Sequence, residues 1–328
     1  MQRILVTGGT GFIGRTLCPT LVRHGFAVAV ATRHPRTAEA MPQVEVRSIP
    51  GVGPGIDWSG VLRDVDAVVH LAGRAHVVDE TADEATLKVY RRVNVDGTRK
   101  LASDAARAGV RRFVYLSTAK VMGERTGSDA AFREGEPPRP QDPYARSKWQ
   151  AEQGLASVTA EASGHVSAPE MVILRPPLVY GPGVKANFLA LLKLVARAPV
   201  LPLGLVRNRR SMIGVDNLAD VIRLCISAPA AAGQTYFVRD GDDLSTAEIV
   251  RVLADGMGRR VRLLPVPVGV LRLGGALTGQ RAAVDRLIGS CRVDDFRIRQ
   301  ELEWSPPRTV LQGLSSTAAW FAAERQGR

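Results

Sequence analysis

Residues 3–14 constrain the fold of this chain more than any other segment. An apolar, β-branched run at residues 3–7 leads directly into Thr7-Gly8-Gly9-Thr10-Gly11-Phe12-Ile13-Gly14, and a helical pattern begins near Phe12. This order predicts a strand, a glycine-rich turn and a helix. Gly8 would permit the tight turn, and Gly14 would let the helix and the strand pack closely.

The glycine-rich turn also predicts a binding site for phosphate. A helix that starts here directs its unpaired N–H groups and the positive end of its dipole at an anion, and Gly11 lets that anion approach the backbone. Such glycines could serve packing alone, but the strand before them and the helix after them favour the pyrophosphate of a dinucleotide. We expect this cofactor to be bound by Gly8, Gly11, Phe12, Ile13 and Gly14.

Further apolar runs alternate with longer helical patterns at residues 27–32, 44–46, 67–70, 112–117 and 171–174. The alternation predicts right-handed βαβ crossovers and therefore a doubly wound α/β fold with a parallel Rossmann sheet. With 328 residues, 45% of them hydrophobic, the chain has enough apolar surface for two unequal units. We expect residues 1–180 to form mainly the dinucleotide-binding domain with the catalytic helix. Residues 181–328 would form mainly a smaller substrate-binding α/β domain, with some segments returning to the sheet.

The end of the second apolar run bears on the choice of cofactor. It reads Ala31-Thr32-Arg33-His34, without the Asp or Glu that an NAD site usually places against the ribose 2′-hydroxyl. Arg33 could hold the 2′-phosphate of NADP through a bidentate contact, or it could be a solvated surface residue. We expect NADP, with NAD as the alternative.

Tyr144 and Lys148 form the candidate catalytic pair. Asp142-Pro143 predicts a helix start just before them, so the two side chains share one helix face at positions i and i+4. A nearby ammonium lowers the pKa of a phenol, which would let Tyr144 exchange a proton with a hydroxyl or carbonyl group. A hydroxyl from Ser117 or Thr118, at the end of the fifth run, would polarise the same oxygen.

In order and content these motifs resemble the extended short-chain dehydrogenase/reductase family, in the subgroup that includes epimerases, dehydratases and reductases of nucleotide sugars. The resemblance covers essentially the whole chain. The matching segments are residues 5–14, His70-Leu71-Ala72-Gly73, Asn94-Val95-Asp96-Gly97-Thr98, residues 144–148 and Arg175-Pro176-Pro177-Leu178-Val179-Tyr180-Gly181-Pro182-Gly183.

The resemblance implies roles for individual residues. Thr118, Tyr144 and Lys148 would form the catalytic triad, with Ser117 as a less favoured substitute for Thr118. Tyr144 and Lys148 would also contact the cofactor. The rest of the cofactor site would be lined by Leu71, Ala72, Gly73 and Pro176.

Residues 119–122 bear on the reaction. Related 4,6-dehydratases place an Asp-Glu pair after the catalytic Thr, where this chain has Ala119 and Lys120, so dehydration is disfavoured. Two reactions stay open: that of a 4-epimerase, which keeps NAD tightly bound, and that of a 4-keto reductase, which exchanges its cofactor. Arg33 favours the reductase. Lys120 and Met122 depart from the family's commoner residues, so the position of the sugar is also open.

Two later segments bear on the substrate. Residues 183–188 and Arg207-Asn208-Arg209-Arg210-Ser211 resemble those of reductases of the UDP-N-acetylquinovosamine synthase type. In that resemblance Asn187 would meet the uridine diphosphate and Arg210 would clamp a phosphate, although the arginines could also form a solvated basic loop. The main expectation is therefore reduction of a UDP-4-keto-6-deoxy-N-acetylhexosamine at its 4-keto group in surface-polysaccharide biosynthesis. The alternative is a UDP-hexose 4-epimerase.

Composition limits the other classes of function. The net charge of +12 is spread along the chain, so we expect an anionic small substrate and no nucleic acid. A non-catalytic dinucleotide sensor or RNA-binding protein is a disfavoured alternative. We expect no metal, no disulfide, no membrane insertion and a cytoplasmic location, and relatives allow a homodimer. The residues interpreted as structural are Cys18, Cys225, Cys291, His70 and Asn94, although Asn94 could instead join the proton relay.

Overall fold

The computed structural model describes residues 1–39, 41–74, 84–127, 129–161 and 168–326. The strands are β1 (Arg3–Thr7), β2 (Ala27–Thr32), β3 (Val44–Ser48), β4 (Ala67–His70), β5 (Arg112–Leu116), β6 (Glu170–Arg175), β7 (Leu178–Tyr180), β8 (Val200–Leu201), β9 (Met212–Gly214), β10 (Thr235–Phe237) and β11 (Arg262–Leu263).

The α-helices are α1 (Gly14–Arg23), α2 (Pro35–Glu39), α3 (Glu84–Tyr90), α4 (Gly97–Arg107), α5 (Pro143–Glu161), α6 (Ala186–Arg197), α7 (Val215–Ser227), α8 (Thr246–Gly256), α9 (Val268–Leu277), α10 (Arg281–Ile288), α11 (Phe296–Leu302) and α12 (Val310–Gln326). A π-helical turn, Arg91–Asp96, joins α3 to α4, and a 3-10 turn, Ala119–Val121, follows β5.

Seven strands form one parallel sheet in the order β10-β6-β5-β4-β1-β2-β3. The prediction of a doubly wound parallel α/β fold is confirmed. The order reverses between β1 and β4, and a crevice at the carboxyl ends of such strands is where this architecture binds ligands. The fifth strand ends at Leu116, one residue earlier than predicted, but the N–H of Ser117 still donates to the carbonyl of Leu174 at 2.8 Å.

Side chains of the central strands alternate between the two faces of the sheet, as a buried strand requires. Ile4 and Val6 of β1 pack on one face with Leu17 of α1 and Leu218 of α7. Leu5 lies on the opposite face, in a cluster with residues of α4 and α5. Both faces are therefore covered by helices, which holds the carboxyl ends of the strands in fixed positions.

A separate hydrophobic cluster lies in the C-terminal half of the chain. It joins Phe188 and Leu192 of α6 to Leu253 of α8 and Leu314 of α12. However, β10 adds to the edge of the main sheet, and α7 packs on its face, so the C-terminal half contributes to both parts. The division at residue 180 stays a prediction. Within the described part of the chain, no helix combines the length and apolar character that a bilayer span requires.

Candidate active site

The glycine-rich turn has the steric demands expected of it. Gly8 has a φ of +73°, and a Cβ there would lie 2.8 Å from the Ala72 nitrogen. A Cβ on Gly14 would lie 2.4 Å from the Gly9 Cα, so any side chain at this position would push the turn apart. Gly9 also faces strand β2, with a Cβ position 2.7 Å from the Val30 side chain.

A cavity of about 420 Å³, named here the cofactor cavity, opens beside this turn. Arg33 lies on its wall at the end of β2, and the described residues that line it include no Asp or Glu. Arg33 thus lies at the end of β2 beside the glycine-rich turn, in the same cavity. The other predicted cofactor residues on this wall are Gly8, Gly11, Leu71, Ala72 and Gly73.

A second cavity, of about 250 Å³ and named here the reaction cavity, lies against the same turn. It brings Tyr144 and Lys148 together with Ser117 and with the predicted cofactor residues Gly8, Gly11, Phe12, Ile13, Gly14, Leu71 and Gly73. Neither wall contains Thr118, predicted for the catalytic triad, or Pro176, predicted for the cofactor site. Thr118 follows Ser117 in the chain, and Pro176 is buried, with its carbonyl oxygen accepting a hydrogen bond from the Ala119 nitrogen at 2.8 Å.

The start of α5 positions the candidate catalytic pair. The Asp142 carboxylate accepts a hydrogen bond from the Ala145 nitrogen at 2.6 Å and so caps the helix that carries Tyr144 and Lys148. Asp142 also pairs with the ammonium of Lys120. Lys120 therefore contacts the residue that caps the first turn of α5.

The electrostatics of the pair differ from the prediction. Burial lowers the pKa of Lys148 to about 7, although the charge of Glu152 acts in the opposite direction. Burial raises the pKa of Tyr144, and Asp142 adds to this effect. The expected lowering of the pKa of Tyr144 is therefore not seen. The ammonium of Lys148 lies over the Tyr115 ring, 4.3 Å from its centre.

The two candidate hydroxyl groups have different partners. Ser117 donates its hydroxyl proton to the carboxylate of Glu152. Glu152 forms a buried ion pair with Arg175 at 2.6 Å. The hydroxyl oxygen of Thr118 accepts a hydrogen bond from the Lys120 nitrogen at 3.3 Å, and this bond leaves the Thr118 proton available for another acceptor. The hydrogen bonds therefore favour Thr118 over Ser117 as a donor to substrate.

The Glu152–Arg175 pair was not anticipated from the sequence. One available signal was the spacing, since Glu152 follows Lys148 by four residues and so shares its face of α5. The partner Arg175 comes from β6, and Ser117 comes from the end of β5. The carboxylate of Glu152 thus joins three elements directly behind the reaction cavity.

His70 and Asn94 have the structural contacts that were expected. The two ring nitrogens of His70 lie 2.6 Å from the Thr7 hydroxyl and 2.9 Å from the Thr98 hydroxyl. The side-chain nitrogen of Asn94, in the π-helical turn, donates to the Ser147 hydroxyl at 2.9 Å, and its oxygen accepts from the Arg74 nitrogen at 2.8 Å. Asn94 therefore ties the segment after β4 to the catalytic helix.

A third cavity, of about 310 Å³ and named here the substrate cavity, contains Asn187 and Arg210, two of the three residues that were predicted to bind substrate, but not Thr118. Asn187 is on α6, and Arg210 precedes β9. The guanidinium of Arg210 donates to the carbonyl oxygens of Arg286 at 2.7 Å and Gly289 at 3.1 Å. The neighbouring arginines Arg207 and Arg209 do not line this cavity and lie instead on another surface pocket. Among the described residues, no group of His, Cys, Asp or Glu is arranged to hold a metal ion.

Comparisons with known proteins agree with this architecture. The NAD dependent epimerase/dehydratase family matches residues 4–238. The chain is 40% identical over 322 residues to a UDP-glucose 4-epimerase of Vibrio cholerae, covering 98% of this chain and 95% of the relative. It is 26% identical to an N-acetyl-alpha-D-glucosaminyl-diphospho-ditrans,octacis-undecaprenol 4-epimerase of Escherichia coli O157:H7, with 96% and 94% covered.

A solved structure gives the same fold. The UDP-glucuronic acid 4-epimerase of Bacillus cereus, in complex with NAD, superposes with a TM-score of 0.76 at 20% identity and covers 100% of both chains. The family match spans the glycine-rich turn, the catalytic helix and the seven strands of the main sheet. The chain belongs to the NAD dependent epimerase/dehydratase family.

Proposed function

We propose that the protein is a UDP-hexose 4-epimerase that works with tightly bound NAD. The observation that carries this proposal is the 40% identity, over almost the whole chain, to the Vibrio cholerae UDP-glucose 4-epimerase. The juxtaposition of Tyr144 and Lys148 with the glycine-rich turn in one cavity supports it. The 4-keto reductase, which the sequence favoured, becomes the second candidate.

The residues of the reaction cavity would act at the C4 oxygen of the sugar. NAD bound at the glycine-rich turn would supply a hydride acceptor and later a hydride donor. Tyr144 would take the proton of the C4 hydroxyl and would return it to the same oxygen once the hydride has been delivered to the opposite face of C4. Thr118, which follows Ser117 of this cavity in the chain, would hydrogen-bond that oxygen. Lys148 would hold the nicotinamide ribose.

The substrate cavity would hold the uridine diphosphate. Its apolar wall suits an aromatic base, and it carries few polar groups, among them Asn187 and Arg210. The guanidinium of Arg210 is held by two carbonyl oxygens, so its direction is set before substrate arrives. A planar guanidinium in a fixed position matches the oxygens of a phosphate.

The residues that follow Thr118 disfavour dehydration. That reaction needs an acid and a base beside the catalytic hydroxyl, and residues 119 and 120 supply neither carboxyl group. Lys120 is engaged instead by Asp142 at the start of the catalytic helix. This contact supports a role for Lys120 in positioning α5.

One observation favours the second candidate, a reductase that uses NADP. Arg33 lies on the wall of the cofactor cavity, and no carboxylate accompanies it among the described lining residues. An arginine at this place fits a 2′-phosphate, whereas a carboxylate would fit a 2′-hydroxyl. The reductase would act on a UDP-4-keto-6-deoxy-N-acetylhexosamine and exchange its cofactor at each turnover.

Cofactor content and product analysis distinguish the two candidates. The epimerase should purify with NAD and convert UDP-glucose to UDP-galactose, or their N-acetyl forms, without net change in reduced nicotinamide. A Tyr144→Phe variant should retain NAD and lose this conversion. Protein that purifies without NAD and oxidises NADPH only with UDP-4-keto-6-deoxy-N-acetylglucosamine would replace the epimerase with the reductase.

We also propose a cytoplasmic location and a homodimer. Nucleotide-activated sugars as substrates support the location. The dimer is supported by family members that pair through helices flanking the Tyr-Lys segment. Sedimentation velocity of the purified chain tests the dimer directly.

A further inference from the structure

Helix α9 presents an exposed apolar face. Val270, Leu273 and Leu277 are 55%, 61% and 80% exposed. Their spacing of three and seven residues places them on one side of the helix, within about 60° of one another. Here this side is named the outer face of α9.

The opposite side of α9 contacts the rest of the protein. Val268 and Leu271 contact the C-terminal hydrophobic cluster, and Gly275 meets α10 so closely that a Cβ would lie 2.7 Å from the Val284 side chain. The apolar residues of α9 are thus divided between an inner side that contacts the protein and an exposed outer face.

The chain segment that contains α9 is rich in arginine. Between Asp255 and Asp285 the sequence contains no acidic residue, but it contains the exposed residues Arg259, Arg260, Arg262, Arg272 and Arg281. Of these, Arg272 alone approaches a carboxylate of the described chain, that of Asp285 at 3.9 Å. Arg281 follows Leu277 by four residues, a chain length that reaches at most about 14 Å. The segment thus combines apolar side chains with a net charge that its own ion pairs do not neutralise.

We propose that the outer face of α9 and its flanking arginines bind the surface of an anionic lipid bilayer. Apolar side chains on one side of a helix enter the boundary between headgroups and acyl chains, and nearby arginines are attracted to anionic headgroups. A helix of ten residues is about 15 Å long, so the contact is shallow and reversible. It does not require a membrane span.

Charge complementarity selects the bilayer over a second copy of this chain. Two copies that meet through this face would bring two acid-free, arginine-rich segments together, which opposes association. An anionic surface reverses the sign of that interaction.

The location of the face gives the contact a consequence for function. Helix α10, which packs on α9, contributes Ala283, Arg286 and Leu287 to the wall of the substrate cavity. Binding through α9 would therefore hold the substrate cavity near lipid headgroups. This holds for either candidate reaction, because the surface shares no residue with the reaction cavity.

The test is co-sedimentation of the full chain with vesicles of phosphatidylcholine alone or mixed with phosphatidylglycerol. The test variant combines Leu273→Glu with Leu277→Glu, and the matched control is Leu311→Glu, which changes a half-exposed leucine on α12. A second variant, Arg259→Gln with Arg260→Gln, tests the charge. Thermal melting by circular dichroism checks that every variant is folded.

The wild type and the Leu311→Glu control should bind the anionic vesicles and lose binding at high salt. The leucine double variant should reduce the partition coefficient by at least about tenfold, and the arginine double variant should reduce it less. Absence of wild-type binding, or equal binding by the leucine double variant, would overturn the proposal. If the wild type does not bind vesicles and the leucine double variant converts a dimer to a monomer, the outer face would be assigned to self-association instead.

Discussion

The Nζ atom of Lys148 lies 4.3 Å from the centre of the Tyr115 ring, and both side chains are buried. The contact joins the catalytic helix α5 to strand β5 through a cation–π interaction. Lys148 also lines the reaction cavity together with Tyr144. Burial at this position lowers the pKa of Lys148 to about 7.

This lowered pKa predicts a pH dependence of stability. The unfolded chain binds the Lys148 proton up to about pH 10.5, whereas the folded protein releases it near pH 7. Between these values the unfolded state holds more protons, so this lysine makes the free energy of unfolding rise with pH, by up to about 1.4 kcal/mol per pH unit. Its destabilising effect is complete below pH 7 and disappears towards pH 10.5.

Urea unfolding of the wild type and of Lys148→Met, at several pH values from 7 to 10, measures this contribution. The difference in the free energy of unfolding between the two proteins should shrink as the pH rises. Parallel pH profiles would show that Lys148 keeps an ordinary pKa in the folded protein.

The hydroxyl groups of Ser117 and Thr118 should have separable effects. Thr118→Val should lower kcat by about two orders of magnitude with little change in melting temperature, because it removes a donor to the sugar oxygen. Ser117→Ala should mainly lower stability, by about 1 kcal/mol, because Glu152 loses a buried hydrogen bond. Steady-state kinetics and thermal melting of both variants provide the measurement, and a larger loss of kcat in Ser117→Ala would exchange the two roles.

The glycine-rich turn should not tolerate a methyl group at its most crowded position. Gly14→Ala would place a Cβ 2.4 Å from the Gly9 backbone, so we expect NADH affinity to fall at least about tenfold. Gly60→Ala is a suitable control, since a Cβ there meets nothing within 4 Å. Fluorescence titration with NADH measures both, and unchanged affinity in Gly14→Ala would contradict the assignment of the turn.

Arg33 should discriminate between the two nicotinamide cofactors. In Arg33→Ala the affinity for NADPH should fall by at least about tenfold while that for NADH changes little, because only NADPH carries the 2′-phosphate. Parallel titrations with NADH and NADPH test this. Equal losses for the two cofactors would show that Arg33 contacts a group that they share.

The sequence by itself determined the features that depend on neighbouring residues. The strand, turn and helix of residues 3–14, the alternation of strands and helices, and the start of α5 at Pro143 all follow from local periodicity, glycine placement and helix capping. These signals act over a few residues, so they can be interpreted without knowing the fold. They were sufficient to predict the parallel sheet and to pick out Tyr144 and Lys148.

The tertiary structure decided the contacts between distant segments. Packing placed Lys148 on Tyr115, joined Glu152 to Arg175, buried Pro176 and put Asn187 and Arg210 in one cavity. Each of these depends on how helices seat against the sheet, because burial and the nearest charge are set by side chains that are far apart in the chain. The residues that carry the proposed chemistry could therefore be identified from the sequence. Their pKa values and interaction partners depend on the tertiary structure.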